Sequence, residues 1–361
     1  MQAVGNKRFI AQAFLVSLSM AWGAAMAAPQ YRLVELPFNG PPDDPFNDTS
    51  AVGINRIGDT AVDFYGPYGS SGLHCTRTDC SAVPPLYVPH WPAVSAGGIN
   101  DAGLMLATSA DTAYTTHALV YDGSTSTRIR GFPDDYCDGC DNDSYGYGLN
   151  NLGQAVGSAF GKDGRERGFI WQAGVAMQEL GTLGGTVSVA RAINDHGDVA
   201  GYSSIASGAT HGFFYRRGRM LDVGTLGGGW AQAMGINDAR QVVGCSTLEG
   251  DQESRAFVYA RGAMTALPTL GGHSACAYGI NKSGVIVGAA STAAEETHGF
   301  VFDEAQAVDL NDQLTQADRA KWLIIGANAI NHSGMIAATG QNRSNGVVRA
   351  LLLRPRPVMA N

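Results

Sequence analysis

The sequence predicts an all-β fold, a seven-bladed β-propeller whose ring is closed by pairing the N-terminal strand with the last blade. Three observations support this prediction. One motif returns seven times along the chain, each copy has room for four short strands, and the two ends of the repeated region complement each other. The 48 glycines in 361 residues, with only 16% charged side chains, are typical of short strands joined by tight turns.

The repeat is anchored by an asparagine that recurs at intervals of 43 to 50 residues. The seven anchors are Asn55, Asn100, Asn150, Asn194, Asn237, Asn281 and Asn331. A glycine follows three residues later in six copies, and Arg240 replaces it in the fifth. An Asn side chain can bond to nearby backbone amides and glycine accepts a positive φ, so each anchor predicts a hairpin turn between two strands.

Two further strands are predicted after each hairpin. The third begins at a His or Arg that is followed two residues later by a bulky apolar residue, as at Arg167, His211, Arg255 and His298. We expect this repeated His or Arg to hold the start of the strand and not to form a functional ring. The fourth strand is predicted to end in Thr-Leu-Gly-Gly, at Thr182–Gly185, Thr225–Gly228 and Thr269–Gly272. Four strands in roughly 44 residues is the size of a propeller blade, with an open repeat stack as the alternative.

Closure of the ring is predicted from the two ends of the repeated region. The last copy reaches its third strand at Arg349–Leu353 and has no fourth strand after it. The segment Tyr31–Leu36 has the character of a fourth strand with no blade before it. Pairing the two segments leaves no exposed sheet edge.

The N-terminus predicts export. Lys7 and Arg8 precede an apolar run from Phe9 to Trp22, which ends in small residues up to Ala27. This pattern indicates a signal peptide over residues 1–27 and a single propeller domain over 28–361, in an extracellular or periplasmic protein. A membrane anchor is the alternative, but the apolar run is short for a span, so no membrane insertion is expected.

Six cysteines in an exported chain predict three disulfides. Cys75 and Cys80 are close enough to staple one hairpin, and Cys137 and Cys140 are expected to pair with each other, which leaves Cys245 and Cys276 as the third pair. The strand-to-helix setting of a redox Cys-x-x-Cys is missing, and no second pair has zinc-site spacing.

The net charge of −8 argues against nucleic acid as a partner, because phosphates would be repelled. We expect a monomer that recognises a polysaccharide or a surface protein.

The motifs resemble those of the bacterial HAF-repeat family of exported proteins. The resemblance rests on Gly224–Gly228, on Ala190–Gly197 and on His211–Phe213. It is strong from about residue 148 to residue 353 and weaker in the first two copies, which lack Thr-Leu-Gly-Gly. Membership would imply an exported repeat protein and no particular reaction.

Candidate ligand-binding residues lie where linkers break the repeat, on the face expected to lie opposite the Asn turns. They are His90, Trp91, Tyr145, Tyr147, Trp230, His273 and Lys321. Aromatic side chains present flat apolar faces that match the C–H face of a sugar ring. The alternative for each aromatic residue is packing between blades.

One acidic loop, residues 132–143, is a candidate Ca²⁺ site because carboxylate oxygens are the ligands that this ion prefers. The candidate ligands are Asp134, Asp135, Asp138, Asp141 and Asp143. Their spacing differs from an EF-hand loop, and a solvated acidic loop is the alternative.

Two functions remain open from the sequence. The first is a secreted binding or scaffold protein that recognises glycan or a protein partner through one face. The alternative is a secreted polysaccharide-degrading enzyme, a lyase or glycoside hydrolase, with its site on the same face. The sequence contains neither Gly-x-Ser-x-Gly nor His-Glu-x-x-His, so it assigns no catalytic residue.

Overall fold

A computed structural model describes residues 31–37, 47–66, 69–86, 94–112, 115–132, 142–161, 163–303 and 306–356. Within these ranges the chain is almost entirely β, with one short 3₁₀ turn at Leu310–Gln313 and one short helix, α1, at Gln316–Lys321. The strands, in chain order, are β1 (Tyr31–Glu35), β2 (Asp48–Ile54), β3 (Thr60–Gly66), β4 (Gly69–Cys75), β5 (Cys80–Ala82), β6 (Val94–Ile99), β7 (Met105–Ala110), β8 (Thr116–Tyr121), β9 (Ser126–Ile129), β10 (Ser144–Leu149), β11 (Ala155–Phe160), β12 (Glu166–Gln172), β13 (Val175–Glu179), β14 (Gly184–Ile193), β15 (Val199–Ile205), β16 (Thr210–Arg216), β17 (Arg219–Gly224), β18 (Gly227–Ile236), β19 (Val242–Leu248), β20 (Ser254–Ala260), β21 (Ala263–Ala266), β22 (Gly271–Ile280), β23 (Ile286–Thr292), β24 (Thr297–Asp303), β25 (Gln306–Asp309), β26 (Trp322–Ile330), β27 (Ile336–Asn342) and β28 (Val348–Pro355).

The strands pair antiparallel in sheets that follow the chain. Four consecutive strands form each of the sheets β2–β5, β6–β9, β10–β13 and β22–β25. The groups β14–β17 and β18–β21 are joined into one larger sheet by a parallel bridge between Thr210 and Trp230. The last sheet takes β26, β27 and β28 from the end of the chain and β1 from its beginning, with Leu33 opposite Leu353.

The Asn anchors form the predicted turns. Oδ1 of Asn194 accepts hydrogen bonds from the backbone N–H groups of His196 at 3.0 Å and Asp198 at 2.9 Å, and Gly197 has a φ of 75°. Arg240, which replaces this glycine in the fifth copy, also adopts a positive φ, of 62°. Its Nε donates to Oδ2 of Asp198 at 2.8 Å, and this ion pair offsets the cost of a left-handed backbone at a residue other than glycine.

The side-chain nitrogen Nδ2 of six anchors links neighbouring sheets. Five anchors donate from Nδ2 to the backbone carbonyl of the next anchor at 2.9–3.3 Å; these are Asn100, Asn150, Asn194, Asn237 and Asn281. Asn331 in the last sheet donates in the same way to the carbonyl of Asn55 in the first sheet, at 3.0 Å. The anchors therefore have a structural role.

The hydrophobic core lies between successive sheets. The apolar residue of the predicted third strand is fully buried there in six copies, at Leu119, Phe169, Phe213, Phe257, Phe300 and Leu351. Phe213, for example, packs in one cluster with Val156 and Leu180 of the preceding sheet. Ala51 and Val62 of the first sheet share a cluster with Ala350 and Leu352 of the last. Truncating one of these phenylalanines to Ala would remove about 3–5 kcal/mol of stability.

The repeated His or Arg holds the start of the third strand, as predicted. Nη1 of Arg167 donates to the carbonyl of Thr186 at 2.7 Å, which lies at the edge of the next sheet. His211 instead pairs at 2.9 Å with Asp222, on the last strand of its own sheet.

The prediction for Thr-Leu-Gly-Gly is wrong. This segment does not end the fourth strand, because β13 ends at Glu179 and β14 already begins at Gly184. Its glycines instead lead into the first strand of the next sheet. Gly184 turns the chain with a φ of 103°, and a Cβ on Gly185 would lie 2.3 Å from Oγ of Ser204.

Two of the predicted disulfides are present. Cys75 and Cys80 lie opposite each other and staple β4 to β5. Cys245 on β19 is bonded to Cys276 on β22, so this disulfide joins two neighbouring sheets. Cys137, Cys140 and the predicted signal peptide lie outside the described residues. No helix in the described ranges is long and apolar enough to cross a membrane.

Candidate functional site

The first strand of every sheet carries a β-bulge at the same position of the repeat, three residues before the Asn anchor. The residues left without a direct partner, called the bulge residues below, are Val52, Gly97, Tyr147, Arg191, Met234, Tyr278 and Asn328. A bulge re-aims a side chain away from the regular alternation of a strand and is common next to functional sites.

All the bulge residues line one cavity of about 550 Å³, called the chamber below. Other residues of the first strands and three residues of second strands complete its wall. Those of the first strands are Ser50, Ser95, Ala96, Tyr145 and Gly146, and those of the second strands are Asp63, Tyr65 and Thr108. The chamber is therefore the point at which the first strands of all the sheets converge.

A second cavity, of about 420 Å³, lies at the Asn-turn end of the same strands. Its wall includes the residue just before each anchor, which is always aliphatic; these are Ile54, Ile99, Leu149, Ile193, Ile236, Ile280 and Ile330. Six of the seven anchors, all but Asn55, and the residue after each anchor complete this wall. The residue after the anchor also differs between copies, as at Arg56, Asp101 and His332, but it is polar throughout. The chamber instead combines aromatic, apolar and charged side chains, and a concave wall of that kind is where ligand binding is expected.

Tyr147 and Arg191 form the polar side of the chamber. The guanidinium carbon of Arg191 lies 4.4 Å from the centre of the Tyr147 ring, within the range of a cation–π interaction. Burial raises the pKa of Tyr147, and the charge of Arg191 opposes that shift only in part. Burial also raises the pKa of Tyr278. The two phenols are therefore protonated at neutral pH and can donate hydrogen bonds to a ligand.

Asp63 is a buried carboxyl group in the chamber wall. Its Oδ1 accepts a hydrogen bond from the backbone N–H of Ala96 at 2.5 Å, and its Oδ2 accepts one from the hydroxyl of Tyr65 at 3.2 Å. Burial raises the pKa of Asp63 from its ordinary value of 3.8 to about 6, although both hydrogen bonds act in the opposite direction. The ionised form of this group is thus disfavoured in the folded protein.

Replacing Asp63 by Asn is expected to stabilise the protein much more at pH 8 than at pH 4. Because its pKa is raised, Asp63 binds its proton more tightly in the folded protein than in the unfolded chain. The protonated carboxyl group therefore stabilises the fold fully below pH 3.8, and this stabilisation is lost as pH rises through about 6. About two pKa units correspond to roughly 3 kcal/mol at pH 8. Urea unfolding of both proteins at the two pH values measures this difference, and an equal effect at both would contradict the burial of an ionised Asp63.

A side cavity of about 450 Å³ adjoins the chamber and shares Met234 and Tyr278 with it. Trp230 and the Cys245–Cys276 disulfide also line this side cavity. The two cavities are therefore adjacent, with aromatic residues in the wall of each, and are together called the cleft below.

The candidate residues from the sequence divide between these sites and the outer surface. Tyr145 and Tyr147 lie in the chamber and Trp230 lies in the side cavity. His273 is 67% exposed and pairs with Glu295. Lys321 pairs with Glu35 of β1, and its Nζ lies 5.3 Å from the ring of Trp322. His273 and Lys321 line neither cavity, and His90 and Trp91 lie outside the described residues.

The acidic loop contributes only one described candidate ligand, Asp143. Its Oδ1 accepts a hydrogen bond from the backbone N–H of Thr116 at 2.7 Å. Asp134, Asp135, Asp138 and Asp141 lie outside the described residues, so the Ca²⁺ site stays a prediction. In the part of the chain that the structure describes, no three His, Cys, Asp or Glu side chains are grouped to hold a metal.

Sequence reasoning missed Arg191, Met234, Tyr278, Asn328 and Asp63. For the bulge residues a signal existed. When the seven copies are aligned on their Asn anchors, the position three residues earlier reads Val, Gly, Tyr, Arg, Met, Tyr and Asn, whereas the position just before the anchor reads Leu once and Ile otherwise. Asp63 has no such signal, because it lies on the second strand of its sheet.

No protein-family model matches the sequence, and no curated protein is similar to it. Solved structures are similar in fold. The β-propeller domain of the Trilobed protease from Pyrococcus furiosus, described as having an open velcro topology, is 10% identical with a TM-score of 0.53, covering 84% of this chain and 95% of its own. YCF48 bound to D1 peptide is 12% identical with a TM-score of 0.52, covering 93% and 99%. A puromycin-hydrolyzing peptidase from Mycobacterium tuberculosis is 11% identical with a TM-score of 0.50, covering 89% and 52%. The chain is therefore an all-β protein of antiparallel sheets whose structural neighbours include β-propellers.

Proposed function

We propose that this protein is an exported seven-bladed β-propeller of the HAF-repeat type that binds a glycan in the chamber. The observation that carries the proposal is the bulge at one position of every first strand, which directs a residue that differs between most copies into a common cavity. Closure of the ring is supported by the pairing of β1 with β28 and by the hydrogen bond from Asn331 to Asn55. Export is supported by the two disulfides.

A glycan fits the chemistry of the cleft. Tyr145, Tyr147 and Tyr278 supply apolar ring faces beside hydroxyl groups, and Trp230 adds another aromatic surface in the side cavity. Sugar units present the complementary pattern, with C–H faces that stack on aromatic rings and hydroxyl groups that hydrogen-bond. The chamber and the side cavity have volumes of about 550 and 450 Å³, which suits a short chain-like ligand better than the surface of a folded protein.

Cleavage of the glycan is the second candidate, and the chamber favours it less. A glycoside hydrolase normally places two carboxyl groups across the scissile bond. Among the described lining residues the chamber contains one, Asp63. A lyase needs a base, but burial raises the pKa of Tyr147 and of Tyr278, which leaves less of each group at neutral pH as the phenolate that could accept a proton.

The test is an immobilised polysaccharide panel scored for retention of the mature protein and for released product. We expect retention without release, and we expect Tyr147→Ala and Tyr278→Ala each to weaken it roughly tenfold through lost stacking. His273→Ala and Lys321→Ala are the controls, since neither residue lines the cleft, and both should bind as the parent does. Thermal unfolding checks that all four variants are folded.

Two results would change the proposal. Release of product that is lost in His273→Ala would establish an enzyme with a site on the outer surface instead. If the protein is not retained and no product is released, a protein partner becomes the favoured ligand.

A further inference from the structure

Arg191 brings to the chamber a positive charge that no carboxylate among the described residues pairs. Several other arginines of the described chain do form ion pairs with carboxylates, as Arg240 does with Asp198 and Arg255 with Glu253. In the described part of the chain no carboxylate forms an ion pair with Arg191, whose recorded partner is the face of Tyr147. Stacking on one ring face leaves the N–H groups at the edge of the guanidinium plane available to a ligand.

The carboxyl groups near this site are engaged elsewhere. Glu166 influences the pKa of Tyr147 and of Tyr202 together with Arg191, but its Oε1 accepts a short hydrogen bond from Oγ of Ser158 at 2.6 Å. Asp63 is occupied by Ala96 and Tyr65 in the first two sheets. Arg191 is also the one cationic side chain among the described residues that line the chamber.

We propose that the bound glycan is acidic, and that Arg191 receives the carboxylate of a uronic acid unit. This inference rests on the proposed function of the chamber. The planar guanidinium matches the two oxygens of a carboxylate, and a charged hydrogen bond in a partly enclosed cavity is stronger than one in water. The neighbouring sugar units extend past Met234 and Tyr278 into the side cavity, where Trp230 and the Cys245–Cys276 disulfide offer an uncharged surface.

The experiment compares oligosaccharides that differ only in charge. Oligogalacturonate and oligomannuronate are each titrated calorimetrically beside their methyl esters, which keep the sugar chain and remove the negative charge. We expect the parent protein to bind at least one free acid about tenfold or more tightly than its ester, with a preference that falls as sodium chloride is raised.

Substitutions at Arg191 assign the preference to this side chain. Arg191→Gln and Arg191→Met should bind acid and ester alike, whereas Arg191→Lys should keep part of the preference because the charge remains. Arg56→Gln is the matched control, because Arg56 lines the cavity at the opposite, Asn-turn end. Melting temperatures confirm that the variants are folded.

The outcomes separate this inference from the one on which it rests. Equal binding of acid and ester by the parent protein, or a preference that survives Arg191→Gln, would overturn the acidic ligand and leave a neutral glycan in the chamber. If no oligosaccharide binds and no polysaccharide of the panel retains the protein, the proposal that the chamber binds a glycan is wrong.

Discussion

Replacing Asn331 by Asp is expected to lower the free energy of unfolding by about 3–5 kcal/mol, because the change places an uncompensated charge in a buried site. The Asn331 side chain is 6% exposed. Its Oδ1 accepts a hydrogen bond from the backbone N–H of Met335 at 2.9 Å, and Asp can preserve this contact. Its Nδ2 donates to the carbonyls of Asn55 at 3.0 Å and Arg56 at 3.3 Å. A carboxylate cannot donate to either and is repelled by both.

Asn194→Asp is the control for this experiment. Asn194 lies in the middle of the repeated region, 4% exposed, and donates to the carbonyl of Asn237 at 3.1 Å. Its environment does not depend on contact between the two ends of the chain. If the ring is closed, chemical unfolding should give a large loss in both variants, with the larger in Asn194→Asp, because its new carboxylate also faces Oδ2 of Asp198, which lies 3.5 Å from Nδ2 of Asn194. A large loss in Asn194→Asp with almost none in Asn331→Asp would show that the first and last sheets separate in solution.

Removal of the Cys245–Cys276 disulfide is expected to cost roughly 4 kcal/mol. The bond closes a loop with a sequence separation of 31 residues, and the loss of chain entropy in the unfolded state grows with the length of that loop. The double variant Cys245→Ala/Cys276→Ala should therefore unfold at a clearly lower denaturant concentration than the parent. Because the disulfide lines the side cavity, glycan affinity should also fall.

The matched control is Cys75→Ala/Cys80→Ala. This pair has a sequence separation of only five residues, so the same relation gives a loss of about 2 kcal/mol. It staples one hairpin, and Cys75 and Cys80 do not line the chamber or the side cavity, so glycan affinity should be unchanged. An equal stability loss in the two double variants would contradict the dependence on loop length from which the two values are derived.

Features fixed by a few neighbouring residues could be predicted from the sequence. The Asn turns depend on chemistry within five residues, and even Arg240, which lacks the glycine, keeps the turn. The pairing of Cys75 with Cys80 followed from their proximity in the chain. The segment Thr182–Gly185 shows the limit of such reasoning. Its glycines resemble the end of a strand, but whether they close one sheet or open the next depends on Ser204, about twenty residues away.

The variation at the bulge position is visible in the sequence, but the direction in which its side chains point is not. Alternation along a strand predicts the direction of a side chain only while each residue has one partner opposite. At Arg191 the register slips between Ala190 and Ala192, which is a property of two paired strands and not of either one alone. Arg191 and Tyr278 were therefore overlooked although the repeat places them at the same position.

The bulge position also determines how this scaffold can acquire new ligands. Folding depends on the Asn turns and on the apolar layers between sheets, whereas the chamber chemistry depends on one residue per repeat. The bulge residues Tyr147, Arg191, Met234 and Tyr278 can therefore be exchanged singly, and each exchange changes part of the chamber wall without altering a turn. The other three are constrained. A Cβ at Gly97 would lie 2.4 Å from the carbonyl oxygen of Gly146, Val52 packs against a core cluster, and Asn328 donates a hydrogen bond to the carbonyl of Ala51 in the first sheet. Diversification of the chamber is thus expected to proceed through the larger bulge residues, with one fixed gap in the wall at Gly97.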